Sequence, residues 1–266
     1  MADTTILLVG CGKMGGALLA GWLDRGMSAA KIHVVEPAPV AQRGIAVVRD
    51  FAALPKSLAP DAIVFAVKPQ ALDDIAPAYR PFAEAGAVTL SIAAGKTIAV
   101  FERHLGKSAA IVRTMPNTPA AVRRGITVAC ANPRVSAAQR AICQGLLEAV
   151  GEVAWVEDEA LLDPVTAVSG SGPAYVFLLI ECLADAGVAA GLSHELAQRL
   201  ARATVIGSGE LARLSDEDAV QLRKNVTSPG GTTAAALEVL MGQDGLAELM
   251  KRAVAAATRR SRELAG

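Results

Sequence analysis

The run Ile6-Leu7-Leu8-Val9 passes directly into Gly10-Cys11-Gly12-Lys13-Met14-Gly15, and no other stretch of the 266 residues constrains the fold as tightly. Four aliphatic residues in a row suit a strand buried on both faces. The Gly-x-Gly-x-x-Gly that follows then turns the chain into a helix beginning near Met14. Each glycine has its own task. Gly10 makes the tight turn, Gly12 lets backbone approach a phosphate, and Gly15 allows helix to pack closely on strand. The helix start offers free amides and a positive dipole end to an anion.

An acid stands where such a loop needs one. Glu36 closes a second apolar run, Ile32-His33-Val34-Val35, and lies 21 residues beyond Gly15. A carboxylate there accepts hydrogen bonds from ribose hydroxyls and repels a 2′-phosphate. The N-terminal part therefore reads as a Rossmann domain for a nicotinamide dinucleotide, with Gly10, Cys11, Gly12, Lys13, Met14, Gly15 and Glu36 at the cofactor. Glu36 favours NADH, whereas Arg43 just downstream could neutralise a 2′-phosphate and keeps NADPH open.

The rest of this half repeats the alternation of strand and helix. Ala62–Val67, Val88–Ile92, Ala110–Val112, Ile126–Ala129 and Glu152–Val156 read as strands, and Met14–Asp24, Ile98–Leu105 and Ala137–Ala149 as helices. That order implies a mostly parallel sheet covered on both faces. Beyond Trp155 the texture turns Ala-, Leu-, Glu- and Arg-rich at helical spacing, with no convincing strand. The fold class is thus α/β followed by an all-α C-terminal domain, divided as 1–157 and 158–266. Breaks fall at 169–173, 191–193, 214–216, 227–231 and 242–245. Ser215 with Asp218 reads as a capping box and Pro173 as a first-turn proline. Long alanine-rich helices with few aromatics can approach closely, and such apolar helices often find partners in a second subunit.

Composition narrows the function classes. Lys plus Arg and Asp plus Glu balance at 26 each and aromatics are 3%, which argues against nucleic-acid binding. The basic cluster Lys251, Arg252, Arg259, Arg260 and Arg262 is interleaved with Glu248 and Glu263 and reads as a solvated helix face. The longest apolar runs, such as Tyr175–Ile180, are soon broken by Glu181 and Asp185, so no membrane span is expected. The start Met1–Thr5 is acidic and unlike a signal peptide, which makes a cytoplasmic protein the expectation. Four scattered cysteines and three isolated histidines suggest neither a disulfide framework nor a metal site.

Other small-residue segments are candidate ligand contacts. Two lie at strand ends, where ligands gather in such sheets: Val67-Lys68-Pro69-Gln70 and Ser91-Ile92-Ala93-Ala94-Gly95, the latter leaving room for a nicotinamide ring. Arg113–Pro119 is a third, with Asn117 as its contact. In the helical half, Ser169-Gly170-Ser171-Gly172-Pro173 precedes a helix reaching Ala186, with capping and substrate contact by Ser171 equally open. Thr227-Ser228-Pro229-Gly230-Gly231-Thr232-Thr233 precedes a helix over Ala234–Met241. A cap needs one hydroxyl, yet this loop supplies three beside two glycines, which points to an anion site.

Taken in order, Gly-Cys-Gly-Lys-Met-Gly, Ala-Val-Lys-Pro-Gln, Ser-Ile-Ala-Ala-Gly, Arg-Thr-Met-Pro-Asn-Thr-Pro, Ser-Gly-Ser-Gly-Pro-Ala-Tyr and Thr-Ser-Pro-Gly-Gly-Thr-Thr resemble the pyrroline-5-carboxylate reductase family along essentially the whole chain. The resemblance implies reduction of the cyclic imine 1-pyrroline-5-carboxylate to proline with NADPH or NADH. It also implies a homodimer, or higher homo-oligomer, built through the C-terminal helices. By the same resemblance the substrate carboxylate meets the amides around Gly230, Gly231 and Thr232, beside Ser228, and the Thr233 hydroxyl bonds the ring nitrogen. Lys13 stands where the family often has asparagine, and Glu36 where NADPH-preferring members often carry small, polar or basic residues. Rival readings are a reductase of a related cyclic imine acid, a β-hydroxyacid dehydrogenase and a non-catalytic dinucleotide sensor. The dehydrogenase family has a lysine on the helix after its glycine-rich second-domain loop, and Pro173–Leu178 has none.

Overall fold

The computed structural model describes residues 4–38 and 44–265. Its chain divides into two compact units, residues 1–170 with 258–266, and residues 171–257.

The first unit is built on eight strands: β1 (Ile6–Val9), β2 (Ile32–Val35), β3 (Ala46–Val48), β4 (Ala62–Phe65), β5 (Val88–Ser91), β6 (Ile111–Met115), β7 (Gly125–Ala131) and β8 (Gly151–Val156). They lie in the order β3-β2-β1-β4-β5-β6-β7-β8. Every neighbouring pair is parallel except β6 with β7. The strand order reverses between β1 and β4, and a crevice opens at their carboxyl ends, the place where such sheets hold ligands.

Helices cover both faces. These are α1 (Lys13–Asp24), α2 (Leu72–Ile75), α3 (Arg80–Glu84), α4 (Ile98–Leu105), α5 (Ala137–Glu148) and α6 (Leu162–Val165). Side chains alternate along β1, so Ile6 and Leu8 join Trp22 of α1 and Leu146 of α5 in one core. Leu7 and Val9 join Phe65, Tyr79 and Phe101 of α4 in the other. Burial on both faces is why β1 and β4 carry no polar residue.

Three expectations about strands change. β3 escapes a pattern reading because it has three residues, half-exposed or exposed, at the sheet edge. β6 runs on past Val112 through Arg113 and Thr114, polar residues that would end an apolar run. Both are buried with partners: Thr114 Oγ1 donates to the Ser91 carbonyl at 2.9 Å, and Arg113 pairs with Glu159. β4 stops at Phe65 rather than Val67, because Ala66 and Val67 fold over Gly10.

The unit does not end where the texture of the sequence changes. Residues 159–170, placed by composition with the second half, pack on the first: Leu162 is fully buried with Val128 and Cys130. A π-helical turn, Thr166–Gly170, follows α6. The last residues also belong here, with Ser261 Oγ donating to Asp163 Oδ1 at 2.7 Å.

The second unit is helical: α7 (Gly172–Ala189), α8 (His194–Leu214), α9 (Ala219–Asn225), α10 (Thr232–Leu240) and the greater part of α11 (Leu246–Ala265). Helix α7 runs one turn beyond Ala186, and Pro173 sits in its first turn. The cap of α9 is Asp218, which accepts from the Gln221 amide, whereas Ser215 accepts from Glu217. The expected capping box is therefore a single aspartate cap preceded by a serine turn. Small residues let α7 and α8 close on each other, with a Cβ at Gly187 only 3.2 Å from that of Ala197.

The outer faces stay uncovered. Among the described residues of this unit the buried apolar ones are Ala184, Ala197 and Ala201, while Phe177 is 59% exposed. The helical run Glu159–Ala189 reaches a mean hydropathy of 1.5 over 18 residues, with 11% of that window buried. By length and composition it passes for a membrane span, which corrects the expectation that no stretch would, since Glu181 and Asp185 alone do not lower the average enough.

Candidate active site

The glycine loop is shaped as its residue types require. Gly10 has φ +91°, and a Cβ placed there would stand 2.7 Å from the Ala66 carbonyl oxygen. A side chain at Gly15 would collide with the Gly10 carbonyl. At Gly12 the same construction meets nothing within 4 Å, so the space in front of it is open. Helix α1 starts at Lys13, one residue earlier than expected, with Gly12 as an N-cap that makes no side-chain bond and no acid in its first turn. The amides of Lys13, Met14 and Gly15 thus have no intrahelical acceptor, and no acid of the helix's own first turn meets its positive dipole end. The loop fits a diphosphate on these grounds.

Glu36 lies beside it. Its Oε2 accepts from the Cys11 amide at 2.7 Å and its Oε1 from the Ala38 amide at 3.0 Å. Burial pushes the Cys11 thiol above its ordinary pKa, and the Glu36 charge adds to the shift. Arg43 lies outside the described residues.

The remaining strand-end candidates gather along the same edge of the sheet. Val67 is half-buried over Gly10, with Lys68 exposed and Pro69 opening a short 3-10 turn. The 91–95 loop is held from behind by Ser91 Oγ, which accepts from the Ala93 amide at 3.1 Å. Ala93 is buried and Ala94 exposed, while Gly95 has φ +73° and backs onto the Leu264 carbonyl. Asn117 is partly occupied, since its Oδ1 accepts from the Ile126 amide at 3.0 Å and ties the loop to β7.

Pattern reading missed two features here. A cavity of about 280 Å³ beside Glu36 is walled by Val9, Val35, Phe51, Val67 and Tyr79, with Arg49 among its polar residues. A buried ion pair joins Arg113 Nη1 to Glu159 Oε1 at 2.8 Å, and the same oxygen accepts from the Ile98 amide at the start of α4. Neither shows in local sequence, because their residues are brought together only by strand order.

In the second unit, α10 begins at Thr232, so Thr232 and Thr233 occupy its first turn instead of the loop. Gly231 is the N-cap, makes no side-chain bond, and no acid lies in the first turn. Gly230 has φ +70°, and the Gly231 amide is taken by the Ser228 carbonyl at 3.1 Å. The amides left without an intrahelical acceptor are those of Thr232, Thr233 and Ala234. Thr233 is half-buried, Ser228 and Thr232 exposed. None of the three hydroxyls caps the helix, which removes the structural explanation for them. Ser171 at the start of α7 makes no capping bond either. In the first unit, Ser169 Oγ in the π turn is buried without a partner.

The comparisons with known proteins agree along the whole length. Residues 159–264 match the family described as pyrroline-5-carboxylate reductase dimerisation, and residues 5–95 that described as NADP oxidoreductase, coenzyme F420-dependent. A pyrroline-5-carboxylate reductase of Pseudomonas aeruginosa is 41% identical over 271 residues, covering 100% of this chain and 98% of that protein. The chain belongs to the pyrroline-5-carboxylate reductase family. Among solved structures, a pyrroline-5-carboxylate reductase from Coxiella burnetii superposes with a TM-score of 0.92 at 35% identity, covering 99% of each chain. The Plasmodium falciparum pyrroline carboxylate reductase, solved with NADP bound, gives 0.85 at 31% identity over 100% of each chain.

Proposed function

We propose that this chain reduces the C=N bond of 1-pyrroline-5-carboxylate to L-proline, using NADH or NADPH. The observation that carries the proposal is the open start of α10, a helix terminus with three hydroxyls and free amides but neither cap nor acid. A small carboxylate suits it, and family membership names the acid.

The residues divide the work. Amides of Thr232 and Thr233, with the Ser228 hydroxyl, hold the substrate carboxylate against the positive end of α10. Gly230 and Gly231 keep side chains away from that approach. Thr233 Oγ1 takes the hydrogen bond of the protonated ring nitrogen, and Ser171 is a further polar contact for the substrate. The Gly10–Gly15 loop and Glu36 hold the dinucleotide, with Val67, Lys68, Pro69, Ala93, Ala94, Gly95 and Asn117 along its course. When bound, the reduced nicotinamide supplies a hydride to the imine carbon. A protonated imine is already electrophilic, so the chain needs to supply orientation more than acid catalysis. The histidines agree with this division: His104 is paired with Asp73 at 2.9 Å, and none lies in either loop.

The test is the loss of reduced-cofactor absorbance on mixing protein, NAD(P)H and the imine. Thr233→Ala should lower kcat by about 10- to 100-fold, the scale of one lost hydrogen bond to a charged group. Dinucleotide affinity, measured separately, should not change. Cofactor binding with no imine reduction in the unaltered protein would point instead to a dinucleotide sensor, and an unaltered kcat in the variant would remove Thr233 from the mechanism.

A second copy of the chain is the partner that the uncovered faces of α7 and α8 fit. Phe177, Leu178 and Leu200 are 59%, 56% and 47% exposed, large apolar side chains that burial against a second copy would remove from water. The family description of this segment as a dimerisation region supports the same reading. Light scattering should give at least twice the 27.3 kDa of one chain. A mass of one chain at micromolar concentration would refute the dimer.

A further inference from the structure

We infer that Glu159 is a positioning residue for the loop 92–97, and through it for the nicotinamide ring of a bound cofactor. This rests on the dinucleotide reading above, in which Ala93, Ala94 and Gly95 leave room for that ring, and deepens it.

The loop leaves β5 at Ser91 and enters α4 at Ile98. Ala93, Ala94 and Gly95 have little side chain with which to hold it, so its course depends on how its two ends are fixed. Both ends are tied to adjacent residues of β6. Ser91 pairs with Arg113 in the sheet, and its carbonyl accepts from Thr114 Oγ1 at 2.9 Å. The Ile98 amide donates to Glu159 Oε1 at 2.8 Å, and Arg113 Nη1 donates to the same oxygen at 2.8 Å. Thr97, the N-cap of α4, makes no side-chain bond, and the first turn of that helix holds no acid. Glu159 therefore does for α4 what a capping side chain would do, from 61 residues away.

The carboxylate is itself held firmly. Asp158 Oδ1 accepts from the Ala160 amide at 2.9 Å and closes the turn that carries Glu159. Leu162 just beyond is fully buried with Val128 and Cys130, and Ile98 packs its side chain against the same cluster. Lys96 gives the loop another tie, to Asp73 at 2.6 Å, but that carboxylate is half exposed and such a pair holds weakly. A bond from a buried guanidinium, together with the positive end of α4, makes Glu159 the stronger hold. Hydride transfer is sensitive to such a hold, since misplacement by about 1 Å costs about 100-fold in rate.

Two double variants separate this role from stability. Arg113→Met with Glu159→Gln removes both charges and keeps an oxygen for the Ile98 amide. Arg113→Met with Glu159→Leu removes both charges and that oxygen as well. Neither leaves a buried charge unpaired. Calorimetric titration with NADH, and with ADP-ribose as the cofactor fragment that lacks nicotinamide, is read beside kcat for imine reduction. The Gln variant should stay within about threefold of the unaltered protein in all three. The Leu variant should bind ADP-ribose within about twofold, bind NADH at least about fivefold more weakly and lose about tenfold or more in kcat. Equal weakening of NADH and ADP-ribose in the Leu variant would mark a purely structural role and overturns the proposal. So does a Leu variant that matches the Gln variant. If the unaltered protein binds NADH but reduces no imine, the reaction is refuted, while the two affinities still decide the role of Glu159.

Discussion

Gly10→Ala should lower NAD(P)H affinity by about 100-fold and lower the urea midpoint of the whole chain. The backbone there has φ +91°, where an L side chain is strained by about 1–3 kcal/mol. The added Cβ would also stand 2.7 Å from the Ala66 carbonyl oxygen, 2.8 Å from its carbon and 2.9 Å from Val67 Cγ1. The first two are backbone atoms of the chain leaving β4, which cannot rotate aside. Relief requires the Gly10 turn to move, yet it is pinned by Gly10 N donating to the Val35 carbonyl and Ala66 N to the Val9 carbonyl, both at 2.8 Å. Moving it displaces the start of α1, whose amides the phosphates need. About 2.7 kcal/mol spent on that displacement is a factor of about 100 in affinity.

Gly12→Ala provides the contrast. Its Cβ meets no protein atom within 4 Å, so the fold should be untouched while phosphate approach is blocked. Calorimetric titration and urea melts on both variants check the pair. Unchanged dinucleotide affinity in either variant would show that the loop is not the binding surface.

Arg113→Ala should destabilise the first unit by about 3 kcal/mol, at the low end of what breaking one partner out of a buried pair costs. Arg113 is 6% exposed, and its guanidinium donates to Glu159 Oε1 at 2.8 Å. Removing it leaves a carboxylate that is only 29% exposed, with the Ile98 amide still donating to it. The discount from a fully buried pair comes from that partial access to water. Arg113→Met combined with Glu159→Gln should recover most of the loss, because the cost lies in the orphaned charge and not in the missing attraction. Urea unfolding of the three proteins reads this directly. A double variant less stable than Arg113→Ala would mean that the pair is worth more than its desolvation.

That ion pair also shows where pattern reading fails. Arg113 and Glu159 are 46 residues apart, and as isolated letters they are an ordinary strand-end arginine and an ordinary loop acid. Their meeting follows from β6 lying inside the sheet and from 159–170 folding back onto it. The same return explains why the compact unit runs on to Gly170 while the composition changes near Glu157, and why residues after Ala257 rejoin the first unit. Each depends on contacts distant in the chain, which hydrophobic periodicity does not carry. The capping box at Ser215 failed for a local reason: two acceptable caps stood three residues apart, and backbone geometry selected Asp218.

What the amino-acid order determined alone was local and short-ranged. The glycines at 10, 12 and 15 dictate a strand–turn–helix because only they tolerate its backbone and its close contacts, and the period-two and period-3.6 patterns dictate which half is sheet and which is helix. Gly230 and Gly231 before two threonines likewise mark an open helix start. Tertiary structure decided the rest: that Glu36 turns back to the Cys11 amide, that apolar walls gather into a cavity beside it, and that Arg113 finds Glu159. These are choices among partners far apart in sequence, made by strand order and burial, and no local pattern encodes them.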